Sequence, residues 1–465
     1  MSMSAVQQHS ARREPSMARV STATTVGTTI EYYDFFIYGT AAALVFPAVF
    51  FPALGAAAGT VASFATFAVA FFARPVGAIV FGHFGDRIGR KRSLVATLLI
   101  MGVATVLIGL LPTAESLGAF GAVAPILLVT LRFLQGFAVG GEWAGAALMA
   151  SEYAPPKLRG LYASFPMMGP AVGFGLASAT FLITNVTLGD SSEAFLAIGW
   201  RVPFVLSAVL VIIGLWIRLS IEETPVFRAA QESGAIGKGV RKLPIWESIR
   251  YQWKEMLLGG LAFTGLFAFF YIGTAFLTSY GSTALQLPRN DVLLAGLIAS
   301  VFFAITTVLS GWVSDRLGRK RTLVLGGLIG LVWALVLFPV LGLGQTETGG
   351  STVAFVVGVS VTLMIVGLMF GPAGSFLPEL FATRYRYTGA GMAYSLAGIF
   401  GGAIPPLVAA GLVASYGGYS VGILLAGIAA LSIVCTLVLR ETRGSSLHED
   451  RPADEVEAQA TSLVP

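Results

Sequence analysis

Five charged residues lie inside long apolar stretches of this sequence, where a charge needs a chemical reason. They are Glu31, Asp34, Arg74, Arg132 and Glu142. A charge buried away from water is unfavourable unless it is paired or used. A carboxylate beside an arginine can exchange a proton, and a buried arginine can bind a second carboxylate. The residue types therefore indicate proton and anion chemistry at a buried site.

The spacing of these residues places several of them on common helix faces. Glu31, Asp34 and Tyr38 follow at i, i+3 and i+7, and Arg132 and Gln135 are three residues apart. We expect Arg132 to pair with Asp34 or Glu31, and the acid displaced from this pair to take up a proton. Glu31, Asp34 and Arg132 are thus the predicted proton-coupling residues. A static ion pair holding two helices together is the alternative.

Arg74 precedes Pro75 near the end of another apolar stretch. We predict that it binds an anionic substrate together with Arg132, whereas the alternative is a side chain that extends to the nearby membrane interface. Polar and aromatic residues inside the stretches are weaker candidates for the same site, because most of them pack: Gln135, Tyr33, Tyr38, Tyr271 and Tyr394.

The stretches that position these residues are long enough to cross a membrane. Only 11% of the residues are charged and the mean hydropathy is +0.80, against about 25% charged residues in soluble domains. Twelve apolar blocks of the length needed to span about 30 Å of hydrocarbon predict an all-α membrane protein. The predicted divisions are a tail (1–20), six helices (21–220), a linker (221–254), six more helices (255–439) and a second tail (440–465).

The basic residues predict the orientation. Of 29 lysine and arginine residues, all but four lie in the tails or in loops on the same side, the exceptions being Arg74, Arg132, Arg201 and Arg289. Since positive loops face the cytoplasm, we expect both termini inside, in a bacterial inner membrane. The net charge of +5 therefore needs no nucleic-acid partner.

An internal repeat divides the chain. Residues 82–92 read GHFGDRIGRKR and residues 311–321 read GWVSDRLGRKR, and each follows the second span of a six-span half. Repeats of this kind place a substrate site between the halves, near the membrane midplane.

These loops resemble the signature loop of the major facilitator superfamily. EYYDFFIYG at 31–39 and the stretches 71–92 and 131–155 are similar to the metabolite:H⁺ symporter family within it, which includes carriers for 2-oxoglutarate, shikimate, citrate, proline and betaine. The resemblance implies two pseudo-symmetric six-helix bundles and alternating access. It also implies a cytoplasmic network that holds the outward-open state. Its members here would be Asp86, Arg87, Arg90, Glu142, Glu152, Arg159, Asp315, Arg316, Arg319, Glu379 and Arg386.

We therefore predict a monomeric, proton-coupled importer of a small organic acid, and not an enzyme. No phosphate-binding G-x-x-x-x-G-K-[ST] segment occurs, which argues against an ATP-driven pump. One cysteine, and histidines that all lie outside the apolar blocks, argue against a metal site, and no cofactor is expected. The alternatives are a proline or betaine symporter, a proton-coupled exporter and a membrane sensor that does not transport.

Overall fold

The structure is a computed structural model that describes residues 17–88, 90–140, 142–188, 192–220, 244–345, 349–382 and 386–445. Within these ranges the chain is almost entirely helical and forms twelve long helices, so the predicted fold class is confirmed. Nine helices in the described ranges are long and apolar enough, by length and composition, to cross a membrane. Helix is favoured because backbone N–H and C=O groups in hydrocarbon must find partners within their own segment.

The first half of the fold contains six helices. They are α1 (Met17–Leu44), α2 (Gly55–Ile88), α3 (Arg90–Gly109), α4 (Val123–Val139 and Glu142–Tyr153), α5 (Arg159–Leu188) and α6 (Arg201–Ser220). The helices α1, α3 and α4 are not among the nine that are long and apolar enough to cross a membrane. The apolar parts of α3 and α4 are shorter than 18 residues, and α1 carries Glu31 and Asp34.

The second half repeats this arrangement. It contains α7 (Pro244–Tyr271 and Leu277–Thr283), α8 (Arg289–Leu317), α9 (Arg319–Leu341), α10 (Thr352–Glu379), α11 (Arg386–Ala397 and Ile404–Tyr416) and α12 (Tyr419–Val438). Short π-helical turns, Ile272–Phe276 and Gly398–Ala403, join the two parts of α7 and of α11. The helix α7 begins within the stretch expected to be a linker, and non-helical dihedral angles at Gln252 kink it.

Equivalent helices pair in both halves. In the first half α1 packs on α5, α2 on α4 and α3 on α6; in the second, α7 packs on α11, α8 on α10 and α9 on α12. The halves meet where α5 contacts α8 and α10, and where α2 contacts α11.

Small residues line the contact between α5 and α8. A Cβ added to Gly160 would lie 2.6 Å from the carbonyl oxygen of Gly311, and one added to Gly296 would lie 2.9 Å from Ser178 Oγ. Close approach of this kind needs glycine or serine at the interface. The two halves therefore touch backbone to backbone along this contact.

Candidate functional site

A chain of hydrogen bonds runs through the first half and ends at two of the predicted residues. The Thr105 hydroxyl of α3 donates to Asp34 Oδ2 of α1 at 3.0 Å. Gln135 Nε2 of α4 donates to Thr105 Oγ1 at 2.7 Å, and Arg132 donates to Gln135 Oε1 at 3.0 Å. All four side chains are buried. The chain connects α1, α3 and α4, and it links a carboxylate to an arginine through two neutral side chains.

Arg132 does not form the direct ion pair expected from the sequence. Within the described part of the chain it makes no ion pair, and its Nε and NH2 atoms make no hydrogen bond. Its guanidinium instead lies over aromatic rings, 4.0 Å from the centroid of Tyr38, 4.3 Å from Phe35 and 5.0 Å from Phe67. The expectation that Arg132 pairs with Asp34 or Glu31 is corrected accordingly, and Gln135 and Thr105 connect it to Asp34 instead.

Arg74 on α2 has a similar environment. Its guanidinium lies 4.8 Å from the ring centroid of Phe35 and 5.0 Å from that of Phe71, and only 4% of the residue is exposed. Among the described residues its Nε has no hydrogen-bond partner. Two guanidinium groups, Arg74 and Arg132, therefore lie against one ring, that of Phe35. Buried like charges repel, and an anion placed beside them would relieve this repulsion.

A small cavity connects Arg74 to the boundary between the halves. Its volume is ≈ 10 Å³, about the space that one water molecule needs. Its lining comes from α1, α4 and the second-half helix α11 as well as α2: Glu31, Arg74, Val139, Gly140, Trp143, Gly391, Tyr394 and Ser395. A larger cavity of ≈ 240 Å³ has no charged residue in its lining, which consists of threonine and aliphatic side chains, mostly of α5 and α6. The site is thus closed to anything the size of a metabolite.

Glu31 and Asp34 face different surroundings although one helix face carries both. Glu31 is buried and lines the cavity beside Arg74. Asp34 points into the first half, toward Thr105. The structure therefore brings one predicted carboxylate to the boundary between the halves and the other to the interior of one half.

Aromatic residues close the cavity from the second half. The ring of Tyr394 stacks on Trp143, with centroids 3.8 Å apart and an angle of 11° between the planes. Its hydroxyl is 2.5 Å from the hydroxyl of Tyr32 on α1. Tyr271 on α7 packs against Phe71 at 5.0 Å, and its hydroxyl has no hydrogen-bond partner among the described residues. Both predicted second-half tyrosines thus contact the first half.

The two predicted tyrosines of α1 differ. The Tyr38 hydroxyl donates to Thr66 Oγ1 at 2.7 Å, beneath the Arg132 guanidinium. The Tyr33 hydroxyl donates to the carbonyl oxygen of Pro203 at 3.1 Å, away from the cavity. The structure therefore places Tyr38 with the arginines and Tyr33 in the packing of the first half.

Sequence reasoning did not select five residues that complete the site: Tyr32, Phe35, Phe71, Thr105 and Trp143. Tyr32 and Phe35 belong to the 31–39 motif, and Trp143 lies on the same helix face as Arg132, so position could have indicated them. Thr105 gave no signal, because a lone threonine in an apolar helix usually bonds its own backbone.

A cluster of ion pairs lies at the boundary between the halves, on the side where α1 begins and α12 ends, here called the termini side. Glu379 of α10 lies 3.5 Å from Arg159 of α5 and 3.6 Å from Arg319 of α9. It also accepts a hydrogen bond from the Thr442 hydroxyl at 2.6 Å. Arg319 contacts Asp315 at 2.9 Å. These four predicted residues, Arg159, Asp315, Arg319 and Glu379, form one cluster.

Asp315 has a further contact across the halves. Its two carboxylate oxygens accept hydrogen bonds from the backbone N–H groups of Gly160 and Leu161, at 2.8 and 2.9 Å. The first amides of a helix have no partner within it. A carboxylate of the second half therefore caps α5 of the first.

The remaining residues of the predicted network divide into two groups. Arg386 is buried, and Arg316 stacks on Trp312 at 3.8 Å without an ion pair in the described chain. The others have side chains outside the described part of the structure: Asp86, Arg87, Arg90, Glu142 and Glu152.

The segment after α12 joins the cluster as well. Arg440 donates to the carbonyl oxygens of Glu379 and Leu380, at 3.1 and 3.0 Å, and the Ser445 carbonyl oxygen accepts from Arg159 at 2.9 Å. On the opposite side Arg289 and Asn290 of α8 bond Asn185 of α5, at 3.1 and 2.8 Å. Polar contacts thus hold the halves together at both ends.

Comparison with known proteins supports a transport fold. The chain is 44% identical over 437 residues, 93% of its length and 96% of the relative's, to the inner membrane metabolite transport protein YhjE of Escherichia coli K12. It is 38% identical to the shikimate transporter of the same organism, over 90% of this chain and 93% of that one. The crystal structure of a D-xylose–proton symporter superposes with a TM-score of 0.71 at 20% identity, over 93% of this chain and all of the other.

The family profile described as Major Facilitator Superfamily matches residues 24–404. This match covers most of the chain and includes both arginines of the site. With the twelve-helix fold and its relatives among metabolite transport proteins, it shows that the chain is a multi-pass membrane transporter and belongs to the Major Facilitator Superfamily.

Proposed function

We propose that this transporter imports a small carboxylate-bearing metabolite together with a proton. The observation that carries the proposal is the pair of buried arginines, Arg74 and Arg132, beside the ring of Phe35. Both guanidinium groups keep N–H donors without a hydrogen-bond partner among the described residues. A substrate carboxylate can accept from these donors, because the planar guanidinium group matches its two oxygens. A transported solute of one relative, shikimate, is itself a carboxylate.

The proton in this proposal binds Asp34 or Glu31. A substrate carboxylate adds one negative charge to a closed site that already holds both acids. Protonation of one acid restores the balance before the carrier reorients. A monoanion moving with one proton carries no net charge, whereas each uncompensated charge is worth about 2.3 kcal/mol per 100 mV of membrane potential.

Substrate and proton cross the membrane in this proposal by alternating access, in which the central cavity opens first to one side and then to the other. The cavity is closed by the stacked rings of Trp143 and Tyr394, and the Glu379 cluster joins the halves on the termini side. Release to that side requires both sets of contacts to separate. We place the termini in the cytoplasm of a bacterium and the protein in the inner membrane. The transporter acts as a monomer of two six-helix bundles, and needs no cofactor, metal or nucleic acid.

A zwitterion such as proline or betaine is the second candidate substrate. The cavity contains an anionic side chain, Glu31, beside the cationic Arg74, and the rings of Trp143 and Tyr394 lie next to both. Aromatic rings and a carboxylate together attract a quaternary ammonium group. The resemblance of the sequence to proline and betaine carriers supports the same reading.

Uptake into proteoliposomes under an imposed pH gradient tests the proposal. The solutes are dicarboxylates, 2-oxoglutarate, shikimate, aromatic acids, proline and betaine. We expect accumulation of a carboxylate that a protonophore abolishes. Accumulation of proline or betaine alone favours the second candidate, and accumulation of no solute with the gradient contradicts proton-coupled import.

Two matched variants test the arginine assignment in the same assay. Arg74→Gln should raise the half-saturating substrate concentration by about 30-fold, the effect of ~2 kcal/mol expected when the partner of a buried charge is lost. Arg250→Gln is the control, because Arg250 also lies near a ring, that of Tyr251 at 5.8 Å, but is exposed at the start of α7. Equal effects of both variants would remove Arg74 from the substrate site.

A further inference from the structure

The hydroxyl of Thr105 has more partners than one proton can serve. It lies 3.0 Å from Asp34 Oδ2 and 2.9 Å from the carbonyl oxygen of Met101, and both of these atoms are acceptors. It also accepts a hydrogen bond from Gln135 Nε2 at 2.7 Å. A hydroxyl has one proton to donate and two lone pairs to accept with. The Thr105 proton can therefore be directed at Asp34 or at Met101, but not at both.

The protonation state of Asp34 decides between these arrangements. When Asp34 is an anion, the Thr105 hydroxyl donates to it and accepts from Gln135. When Asp34 carries a proton, that proton can be donated to Thr105 Oγ1, whose own proton then turns to the Met101 carbonyl. Both arrangements satisfy the hydroxyl, with one bond donated and one or two accepted. Thr105 is therefore a two-state group with the same neighbours in each state.

The orientation of Gln135 carries this difference to Arg132. An arginine can only donate, so the side-chain oxygen of Gln135 must face Arg132 and its NH₂ group must face Thr105. With Asp34 ionised, every donor in the chain points from the cation toward the anion. Hydrogen bonds aligned in this way strengthen one another, and burial increases their strength. Protonation of Asp34 reverses the last bond and weakens the attraction of the chain for Arg132.

We propose that Thr105 and Gln135 are positioning residues that transmit the protonation state of Asp34 to Arg132. The inference rests on the proposed function, in which Asp34 titrates and Arg132 binds the substrate. In the ionised state the chain holds the Arg132 guanidinium toward Gln135. In the protonated state Arg132 is released to bind a substrate carboxylate, so that proton and substrate bind together although no ion pair joins Asp34 to Arg132.

The test compares Thr105→Val with Thr105→Ser. Valine has nearly the shape of threonine but lacks the hydroxyl, whereas serine keeps it. Two transport modes are measured for each variant, accumulation driven by a pH gradient and exchange of labelled for unlabelled substrate without a gradient. We expect Thr105→Val to keep exchange and to lose about tenfold in accumulation, the loss that corresponds to one hydrogen bond to a charged group. Thr105→Ser should match the wild type in both modes.

Thr307→Val is the matched control. Thr307 of α8 is equally buried, and its hydroxyl donates at 2.8 Å to the carbonyl oxygen of Phe303 in its own helix. It is not part of the hydrogen-bond chain from Asp34 to Arg132. Wild-type accumulation and pH dependence in Thr105→Val would overturn the proposal. Equal loss of exchange and accumulation in Thr105→Val would also overturn it, because a purely structural tie between α1, α3 and α4 supports both modes alike.

A second variant keeps the test decisive if Thr105→Val does not fold. In Thr105→Ala the hydroxyl is also absent, and the smaller side chain places no added methyl group against Asp34 and Gln135. We expect the same separation of exchange from accumulation, and normal accumulation would contradict the proposal. The two hypotheses fail differently: the proposed function fails if the wild type accumulates no solute with the gradient, and the inference fails if the wild type and these variants accumulate equally.

Discussion

Neutralising Glu379 should open the termini side of the transporter. The carboxylate is fully buried and faces Arg159 at 3.5 Å and Arg319 at 3.6 Å. In Glu379→Gln the hydrogen bond from Thr442 can persist, but both ionic contacts are lost. Removing one partner of a buried pair destabilises by 3–5 kcal/mol. Both contacts are long, and Arg319 keeps Asp315, so we use the lower limit of about 3 kcal/mol.

The change in the ratio of open to closed molecules follows from this free energy. Only the contact with Arg159 joins the two halves, because Arg319 and Glu379 both belong to the second half. In the closed state Glu379→Gln leaves the buried Arg159 without this partner, so about 3 kcal/mol is lost from the closed state alone. The ratio of open to closed molecules then rises by about 100-fold, because each 1.4 kcal/mol is a factor of ten. A state populated at ~1% would become about as common as the closed one.

Labelling of a single introduced cysteine measures this ratio. Ser395 lines the central cavity, so Ser395→Cys reports on its exposure, in a Cys435→Ser background that removes the native thiol. A membrane-impermeant maleimide is added to sealed vesicles from the side on which the termini are exposed. We expect Glu379→Gln to label much faster than the parent protein. The matched control is Asp291→Asn, whose carboxylate accepts from Thr352 at 2.7 Å on the opposite side.

The rate in Asp291→Asn should equal that of the parent. Unchanged labelling in Glu379→Gln, with the protein folded, would refute the role of the cluster as a gate. Faster labelling in both variants would show general loosening of the helices, and would refute it equally.

Two further predictions concern the central site. Asp34→Asn should abolish proton-driven accumulation and keep substrate exchange. Asparagine can still accept a hydrogen bond from Thr105, but it cannot take up a proton at this site. Normal accumulation in this variant would exclude Asp34 as the coupling residue. Arg132→Lys should raise the half-saturating substrate concentration in exchange by about tenfold. The planar guanidinium group of arginine can bond a carboxylate while it lies over the rings of Tyr38 and Phe35, and lysine has no such planar group. Wild-type uptake by the lysine variant would support a purely structural arginine.

The sequence predicts the fold well because the membrane restricts the choices. Backbone groups in hydrocarbon must be bonded internally, so each apolar block becomes a helix, and the repeated loops at 82–92 and 311–321 indicate two similar halves. The ends of helices are predicted less well. The helix α7 begins at Pro244, because a charged, amphipathic segment continues the helix without adding to the apolar pattern.

The site is predicted only in part, since sequence spacing gives a residue's face on its own helix and nothing about neighbouring helices. Arg132 and Asp34 belong to one chain of hydrogen bonds, but Gln135 and Thr105 of α3 connect them in place of the predicted direct pair. In the termini-side cluster, Arg319 joins Glu379 whereas Arg316, three residues earlier, stacks on Trp312. Both are arginines of the same loop motif, and only the neighbouring helices distinguish them.

The capping of α5 by Asp315 makes the closed state depend on water activity. While the halves are closed, the amides of Gly160 and Leu161 bond this carboxylate. When they separate, the amides and the carboxylate must bond water instead, since each is too polar to remain unsatisfied. Opening on this side therefore takes up water molecules. Excluded osmolytes, which favour the state with less hydrated surface, will shift the transporter toward closure there without binding to it.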